Sequence, residues 1–134
     1  MNIRYASMED LELLLRHDVH VRMESLRDSI EHKRILIAEA DGRFVGWLRY
    51  NLFWDIVPFM NMLHFEPDAR GKGYGRQLTR FWEDAMRGQG YKNVMTSSQS
   101  DEYGQHFYVK QGYRAIGSFM LEGDPLEILF EKQL

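Results

Sequence analysis

The chain has 134 residues, and its 17 lysines and arginines against 20 aspartates and glutamates give a formal charge of −3. That length predicts one domain, and an apolar share of 44% supports an ordinary core and argues against a disordered chain. The slightly acidic balance argues against binding nucleic acid through bulk charge, and the absence of cysteine excludes a disulfide framework, a cysteine-ligated zinc and a thiol nucleophile.

The N-terminal half predicts a strand, helices and a hairpin. Residues 1–20 contain no apolar run long enough for a signal peptide or a membrane span, so we expect a cytoplasmic protein. Residues 3–6 suit a short strand, and apolar residues at helical spacing predict one or two amphipathic helices over 8–32. Residues 35–38 and 44–48 are rich in strand formers and flank Asp41 and Gly42, which predicts a β-hairpin.

The C-terminal half begins with a strand that is apolar on both faces. This run, residues 59–65, predicts a central strand. Glycines at 71, 73 and 75 follow it, and apolar residues then recur at helical spacing from Leu78 to Met86. We expect a further strand at 93–97, a short helix over about 101–111, and strands at 113–121 and 125–132. This order predicts a mixed α/β fold.

The glycine-rich loop from Arg70 to Arg76 predicts an anion site. At the junction of a strand and a helix, unpaired backbone N–H groups and the helix dipole converge on one point. Glycines let the backbone approach a phosphate, and the three cations of the loop suit a pyrophosphate. The glycine spacing fits neither a Walker loop nor a dinucleotide fingerprint. The segment 72–75 matches the opening of an RNA-binding RNP1 strand, but the helical pattern behind it contradicts a strand.

Two motifs resemble the GNAT (Gcn5-related N-acetyltransferase) superfamily. Read as Arg70-x-x-Gly73-x-Gly75 directly after a buried strand, the loop resembles its acyl-coenzyme A pyrophosphate loop. About thirty residues later, Phe-Tyr-Val-Lys-Gln-Gly-Tyr at 107–113 resembles its second motif. The resemblance covers residues 3–132. It implies one GNAT domain over 1–134, with a mixed, mostly antiparallel sheet of six to seven strands and helices on both faces.

The resemblance also implies an activity and a set of site residues. It implies an N-acetyltransferase that moves the acetyl group of acetyl-CoA directly to a primary amine in a ternary complex. Tyr108 matches the tyrosine that protonates the departing thiolate. The implied cofactor-binding residues, in the loop and on the strand that pairs with the pantetheine arm, are Leu63, Phe65, Arg70, Gly71, Lys72, Gly73, Tyr74, Gly75 and Arg76. The chain departs from the family where it has Asp101 in place of Asn and Gly104 in place of Ala.

The general base has no clear candidate in the sequence. The family often places a base on the central strand, on the face of Leu63 and Phe65, but alternation puts Phe59 and Asn61 there. His64 has the opposite parity, so we expect a buried histidine with a satisfied hydrogen bond. Three acidic residues on segments that border the acceptor groove in the family remain open as bases acting through water: Glu24, Asp28 and Asp55.

The acceptor and the partners are less constrained. Aromatic residues around 50–59 either line an acceptor pocket or belong to the core, and the substrate-contact candidates are Tyr50, Trp54 and Asn61. A metal held by His17, His20 and Glu24 is possible by helical spacing, but a solvated helix face is the better interpretation, so we expect no metal. We expect an amine acceptor, no nucleic acid, no membrane and a possible homodimer. The missing base leaves one alternative open, a non-catalytic acyl-CoA sensor or partner-binding module.

Overall fold

The computed structural model describes all 134 residues and contains seven strands, four α-helices and two short 3-10 helices. The strands are β1 (Asn2–Tyr5), β2 (Ile35–Ala40), β3 (Arg43–Phe53), β4 (Val57–Phe65), β5 (Asn93–Gln99), β6 (Arg114–Phe119) and β7 (Glu127–Gln133). The helices are α1 (Leu11–His17), α2 (Met23–Glu31), α3 (Tyr74–Gly88) and α4 (Gly104–Lys110), with 3-10 helices at Met8–Asp10 and Pro67–Ala69.

The strands form one sheet in the order β1-β2-β3-β4-β5-β7-β6. The pairs β1/β2, β2/β3, β5/β7 and β6/β7 are antiparallel, whereas β4 and β5 run parallel. The parallel pairing joins Phe59 to Met95 and Met60 to Thr96. A parallel neighbour requires a crossover connection, which α3 supplies between β4 and β5. The mixed, mostly antiparallel sheet predicted from the sequence is confirmed, with seven strands.

Contacts between residues divide the chain into two compact units. The first unit comprises Met1–Asn51 and Met62–Trp82, and the second comprises Leu52–Asn61 and Glu83–Leu134. In the first unit, Leu14, Leu26 and Ile30 of the first two helices pack against Ile35, Ile37 and Trp47. On the other face of β3, the Tyr50 ring contacts the Trp82 ring of α3 at 5.7 Å between centroids. Helices therefore cover both faces of this part of the sheet.

In the second unit, a buried ionic cluster joins α3 to the last strands. Glu83 is 4% exposed and accepts hydrogen bonds from the Tyr113 hydroxyl (2.7 Å) and the Lys132 Nζ (2.9 Å). The Lys132 ammonium also lies 5.6 Å from the centre of the Tyr113 ring. A buried carboxylate is tolerated when its charge and lone pairs are paired in this way.

Most elements predicted from the sequence are present, with small differences at their ends. The hairpin turn lies at Asp41 and Gly42, with φ of 53° and 74°, as a two-residue turn between twisted strands requires. The helical pattern over 8–32 resolves into two helices, with His20 in the turn between them. The predicted helix over 101–111 begins only at Gly104. The longest helix has 15 residues, and none has the length and apolarity that a bilayer span requires.

Candidate functional site

The glycines of the predicted anion loop have a backbone conformation that other residues rarely adopt. Gly71 and Gly73 have φ of 74° and 81°, in the left-handed region. A Cβ built on either residue would meet no heavy atom within 4 Å. The backbone shape therefore favours glycine at both positions, while the space beside them is open. Such space is what a phosphate group needs to approach backbone N–H groups closely.

The loop leads directly into the N-terminus of α3. Tyr74 is the first residue of this 15-residue helix, and its ring lies 6.1 Å from that of Phe65. The Thr79 side chain donates to the Gly75 carbonyl at 2.8 Å, which fixes the first turn. Lys72 and Arg76 are exposed. The loop thus has an oriented helix dipole and two exposed cations, which favour an anion.

Arg70 is used differently from the other two cations of the loop. Its Nε donates to the Phe65 carbonyl at 2.9 Å, at the end of β4. Burial is the largest cause of the lowered pKa of His64, and the charge of Arg70 is the next largest. The guanidinium therefore ties the loop to the strand that precedes it. Its predicted contact with a pyrophosphate stays a prediction, as do those of the other loop residues.

Tyr108 lies on α4, in the second unit, and is buried. Its ring contacts those of Phe107, Tyr113 and Phe130 at 5.4–5.9 Å between centroids. Burial raises the pKa of Tyr108, and the nearby Thr96 hydroxyl lowers it by a smaller amount. Because burial is the larger cause, the phenol keeps its proton at neutral pH. A neutral phenol can donate a hydrogen bond to the departing thiolate and give up its proton to it as the C–S bond breaks.

The departure from the family pattern at Gly104 has a local physical reason. A Cβ at this first residue of α4 would lie 3.0 Å from the Ser98 Oγ and 3.7 Å from the Tyr108 Cε2. Ser98 is buried on β5, and its hydroxyl takes the room that an alanine methyl group would need. The sequence shows both residues, but only the packing of α4 on β5 reveals that they are coupled.

His64 belongs to an aromatic cluster in the first unit. Its ring lies 5.1 Å from that of Trp47, which in turn lies 5.7 Å from the ring of His17. The His17 Nδ1 is 3.2 Å from the Glu66 Oε1. His64 is half-buried on β4, and burial followed by the charge of Arg70 lowers its pKa, so the imidazole is neutral at pH 7. We expected a buried histidine at this position, and the structure shows that His64 is only partly buried.

The three substrate-contact candidates have different surroundings. Tyr50 is 5% exposed and packs on Trp82, so its ring is part of the core. Trp54 is 78% exposed at the turn between β3 and β4, where its φ of 55° is unusual for a bulky residue. Asn61 is exposed on β4. Tyr50 belongs to the first unit, whereas Trp54 and Asn61 belong to the second. Their role in binding a substrate stays a prediction.

The remaining acidic and histidine candidates lie on exposed surface. Glu24 is 3.9 Å from Arg22, and the Asp28 carboxylate is 3.3 Å from the His32 ring. Asp55 is exposed in the turn after β3. His17, His20 and Glu24, whose spacing made a metal possible although none was expected, do not lie on one helix, because α1 ends at His17 and Glu24 lies on α2. A different exposed group, Asp28, Glu31 and His32, lies close enough to share an ion, but such groups are common without one.

Sequence reasoning missed two residues beside Tyr108 and its neighbour Tyr113. Thr96 is 1% exposed, and its Oγ1 donates to the Met60 carbonyl at 2.9 Å. Glu83 is buried under Tyr113. A polar residue at a buried position of a strand or helix is the signal that would identify both. That signal is visible only once the facing elements are known.

The family model for the acetyltransferase (GNAT) family matches residues 4–113. Because the match covers more than half of the chain, the protein belongs to the acetyltransferase (GNAT) family. It is thus an acyltransferase by membership, as the two motifs indicated. A search of curated proteins gives no match to the sequence.

Solved structures with the same fold are numerous. A GNAT family acetyltransferase from Bacillus cereus ATCC 10987 is 26% identical, with a TM-score of 0.79 over 98% of this chain and 96% of that one. A ribosomal-protein-alanine N-acetyltransferase from Brucella melitensis is 21% identical, with a TM-score of 0.82 over 100% of both chains. A GNAT family acetyltransferase from Elizabethkingia anophelis, solved with acetyl-CoA bound, is 16% identical, with a TM-score of 0.76 over 99% of this chain and 97% of that one. The latter two show likeness of fold alone.

Proposed function

We propose that residues 1–134 form one N-acetyltransferase domain that passes the acetyl group of acetyl-CoA directly to a primary amine. The observation that carries the proposal is the loop before α3, with left-handed glycines, open space beside them and exposed cations. These features fit the pyrophosphate of a coenzyme A thioester, which is the co-substrate. The related acetyltransferase from Elizabethkingia anophelis was solved with acetyl-CoA bound, which supports the same choice.

The loop residues and one strand would hold the co-substrate. Backbone groups around Gly71 and Gly73, with the Lys72 and Arg76 cations, would bind the pyrophosphate. Backbone groups near Leu63 and Phe65 on β4 would pair with the pantetheine arm as a strand does. Because these contacts use backbone, the identities of the strand side chains matter little for binding.

Tyr108 is the proposed general acid. The amine nitrogen attacks the thioester carbonyl, and collapse of the tetrahedral intermediate expels a thiolate that takes the phenolic proton. No covalent intermediate is needed, since the chain has no cysteine and both substrates bind together. The base stays unassigned, and an amine that arrives neutral needs none. The acceptor class, a cytoplasmic location and a homodimer remain predictions.

The first experiment measures the melting temperature with acetyl-CoA, with ADP and NAD as controls. A ligand that binds only the folded state raises the melting temperature, so we expect a rise specific to acetyl-CoA. An amine panel then tests transfer through thiol release. Binding without transfer to any amine would favour the acyl-CoA sensor, and no shift at saturating acetyl-CoA would refute the cofactor assignment.

Two variants test the assigned roles. Gly73→Asp places a carboxylate at the pyrophosphate site, and we expect at least a tenfold loss of acetyl-CoA affinity. Gly90→Asp is the matched control, because Gly90 also has a left-handed φ (94°) with open space beside it, at the opposite end of α3. Tyr108→Phe should lower kcat by about 10²-fold, within the range for general acids, with acetyl-CoA affinity nearly unchanged. Equal affinity losses in both glycine variants would contradict the loop assignment.

A further inference from the structure

The strand β6 has one edge without a backbone partner. It is the last strand in the order of the sheet and pairs only with β7, so its other edge carries free N–H and C=O groups. All six of its residues, Arg114–Phe119, are exposed. Its side chains are therefore open to solvent on both faces of the sheet. Such an edge is a template on which another strand can pair.

The segment 114–121 lacks the charges that usually protect an edge strand. Natural edges carry lysine, proline, inward-pointing charges or bulges that prevent pairing with another chain. This segment has one charge, at Arg114, and no proline. A bulge lies between Ala115 and Gly117, but pairing with β7 is regular again from Gly117 onward. Four large apolar side chains of the segment are 43–65% exposed: Ile116, Phe119, Met120 and Leu121.

The segment is complementary in shape to a second copy of itself that runs antiparallel. With Ser118 opposite Ser118 of the other copy, Gly117 of each copy lies opposite Phe119 of the other, and directly opposite residues share a face of the sheet. Gly117 has no side chain, and a Cβ built there would meet only the Leu129 Cδ1, at 3.9 Å. The aromatic ring of the other copy therefore has room above Gly117 and an apolar neighbour in Leu129.

The charges at the two ends of the segment are complementary in the same arrangement. Arg114 begins β6, and Glu122 lies three residues beyond its end. An antiparallel pair would place the guanidinium of each copy near the Glu122 carboxylate of the other. The Arg114 side chain is 74% exposed, and its ion pair with Glu131, at 3.1 Å, leaves further N–H donors free. Opposite charges across paired strands stabilise the pairing.

We propose that β6 pairs with β6 of a second copy of this chain, antiparallel about a two-fold axis at Ser118. The pairing gives partners to the free backbone groups of both edges, and it covers Phe119 with the backbone of the other copy at Gly117. Because both copies use the same strand, assembly stops at two copies. The interface uses neither the glycine loop nor Tyr108, so it does not depend on the proposed activity.

Sedimentation velocity tests the pairing over protein concentrations from about 1 to 500 μM. We expect the wild type to sediment as a dimer at the upper concentrations. Phe119→Lys puts a charge at the interface, as natural edge strands do, and should sediment as a monomer throughout. Val19→Lys is the control, because it replaces an apolar side chain that is 68% exposed on the first unit, and it should behave as the wild type. A wild type that is monomeric at every concentration, or a dimer unchanged in Phe119→Lys, would overturn the proposal.

Disulfide trapping tests the position of the axis and introduces no charge. The chain has no cysteine, so Ser118→Cys gives each copy a single thiol. Directly opposite residues of an antiparallel pair have Cα atoms about 4.5–5.5 Å apart, which a disulfide can span. We expect mild oxidation to convert Ser118→Cys into a covalent dimer, while Ser25→Cys, at an exposed site on α2, stays monomeric. Equal crosslinking of the two variants would refute an axis at Ser118.

Discussion

The buried cluster around Glu83 yields a quantitative prediction for stability. Glu83→Leu removes the only carboxylate that pairs both the Tyr113 hydroxyl (2.7 Å) and the Lys132 ammonium (2.9 Å). Removing one partner of a buried ion pair costs about 3–5 kcal/mol, and a stranded buried hydroxyl costs about 1–3 kcal/mol. The Lys132 side chain is 25% exposed and can turn toward water, which relieves part of its cost. We therefore expect a loss of about 3–5 kcal/mol in the free energy of unfolding.

Two further variants separate the charge from the packing. Glu83→Gln keeps one acceptor oxygen, so its loss should be only about 1–2 kcal/mol. The triple variant Glu83→Leu, Tyr113→Phe, Lys132→Met leaves no unpaired polar group, and replacement of a complete buried ionic cluster is often close to neutral. Its free energy of unfolding should lie within about 2 kcal/mol of the wild type, despite two more substitutions than Glu83→Leu.

Urea unfolding followed by tryptophan fluorescence and circular dichroism measures these differences. For a chain of this size, about 3–5 °C in Tm corresponds to 1 kcal/mol, so Glu83→Leu should melt roughly 10–20 °C below the wild type. The reasoning fails if Glu83→Leu is within 1 kcal/mol of the wild type. It fails equally if the triple variant is no more stable than Glu83→Leu, because unpaired partners would then not be the cause.

Two smaller predictions concern α4 and β4. Gly104→Ala should give no gain in Tm, because its Cβ would lie 3.0 Å from the Ser98 Oγ; in a Ser98→Ala background the same change should stabilise by up to about 1 kcal/mol through helix propensity. His64 has a pKa lowered below its usual 6.5, so its contribution to stability is present above pH 6.5 and is lost as pH falls toward the lower folded value. His64→Asn should therefore lose less stability than the wild type between pH 7.5 and 5.5, and an equal loss in urea titrations would contradict this.

Local signals in the sequence were sufficient for much of the fold. The hairpin at Asp41 and Gly42 and the helix behind the glycine loop depend on turn chemistry and helical periodicity, which neighbouring residues fix. The motif glycines at 71 and 73 are also local signals, since their left-handed φ values arise in the loop itself. The break between α1 and α2 cannot be predicted in the same way, because periodicity alone does not show where one helix ends.

The family, the glycine loop and the motif tyrosine could be recognised from the sequence, because each depends on residues close together in the chain. What surrounds that tyrosine depends instead on contacts between distant segments. Thr96 is 36 residues from Met60 in the chain, and nothing in its local sequence marks it as the partner of the Met60 carbonyl. The same is true of Glu83, which lies 49 residues from Lys132. Long-range packing, not local propensity, brings such buried polar groups together, and burial gives them the low dielectric in which one hydrogen bond matters.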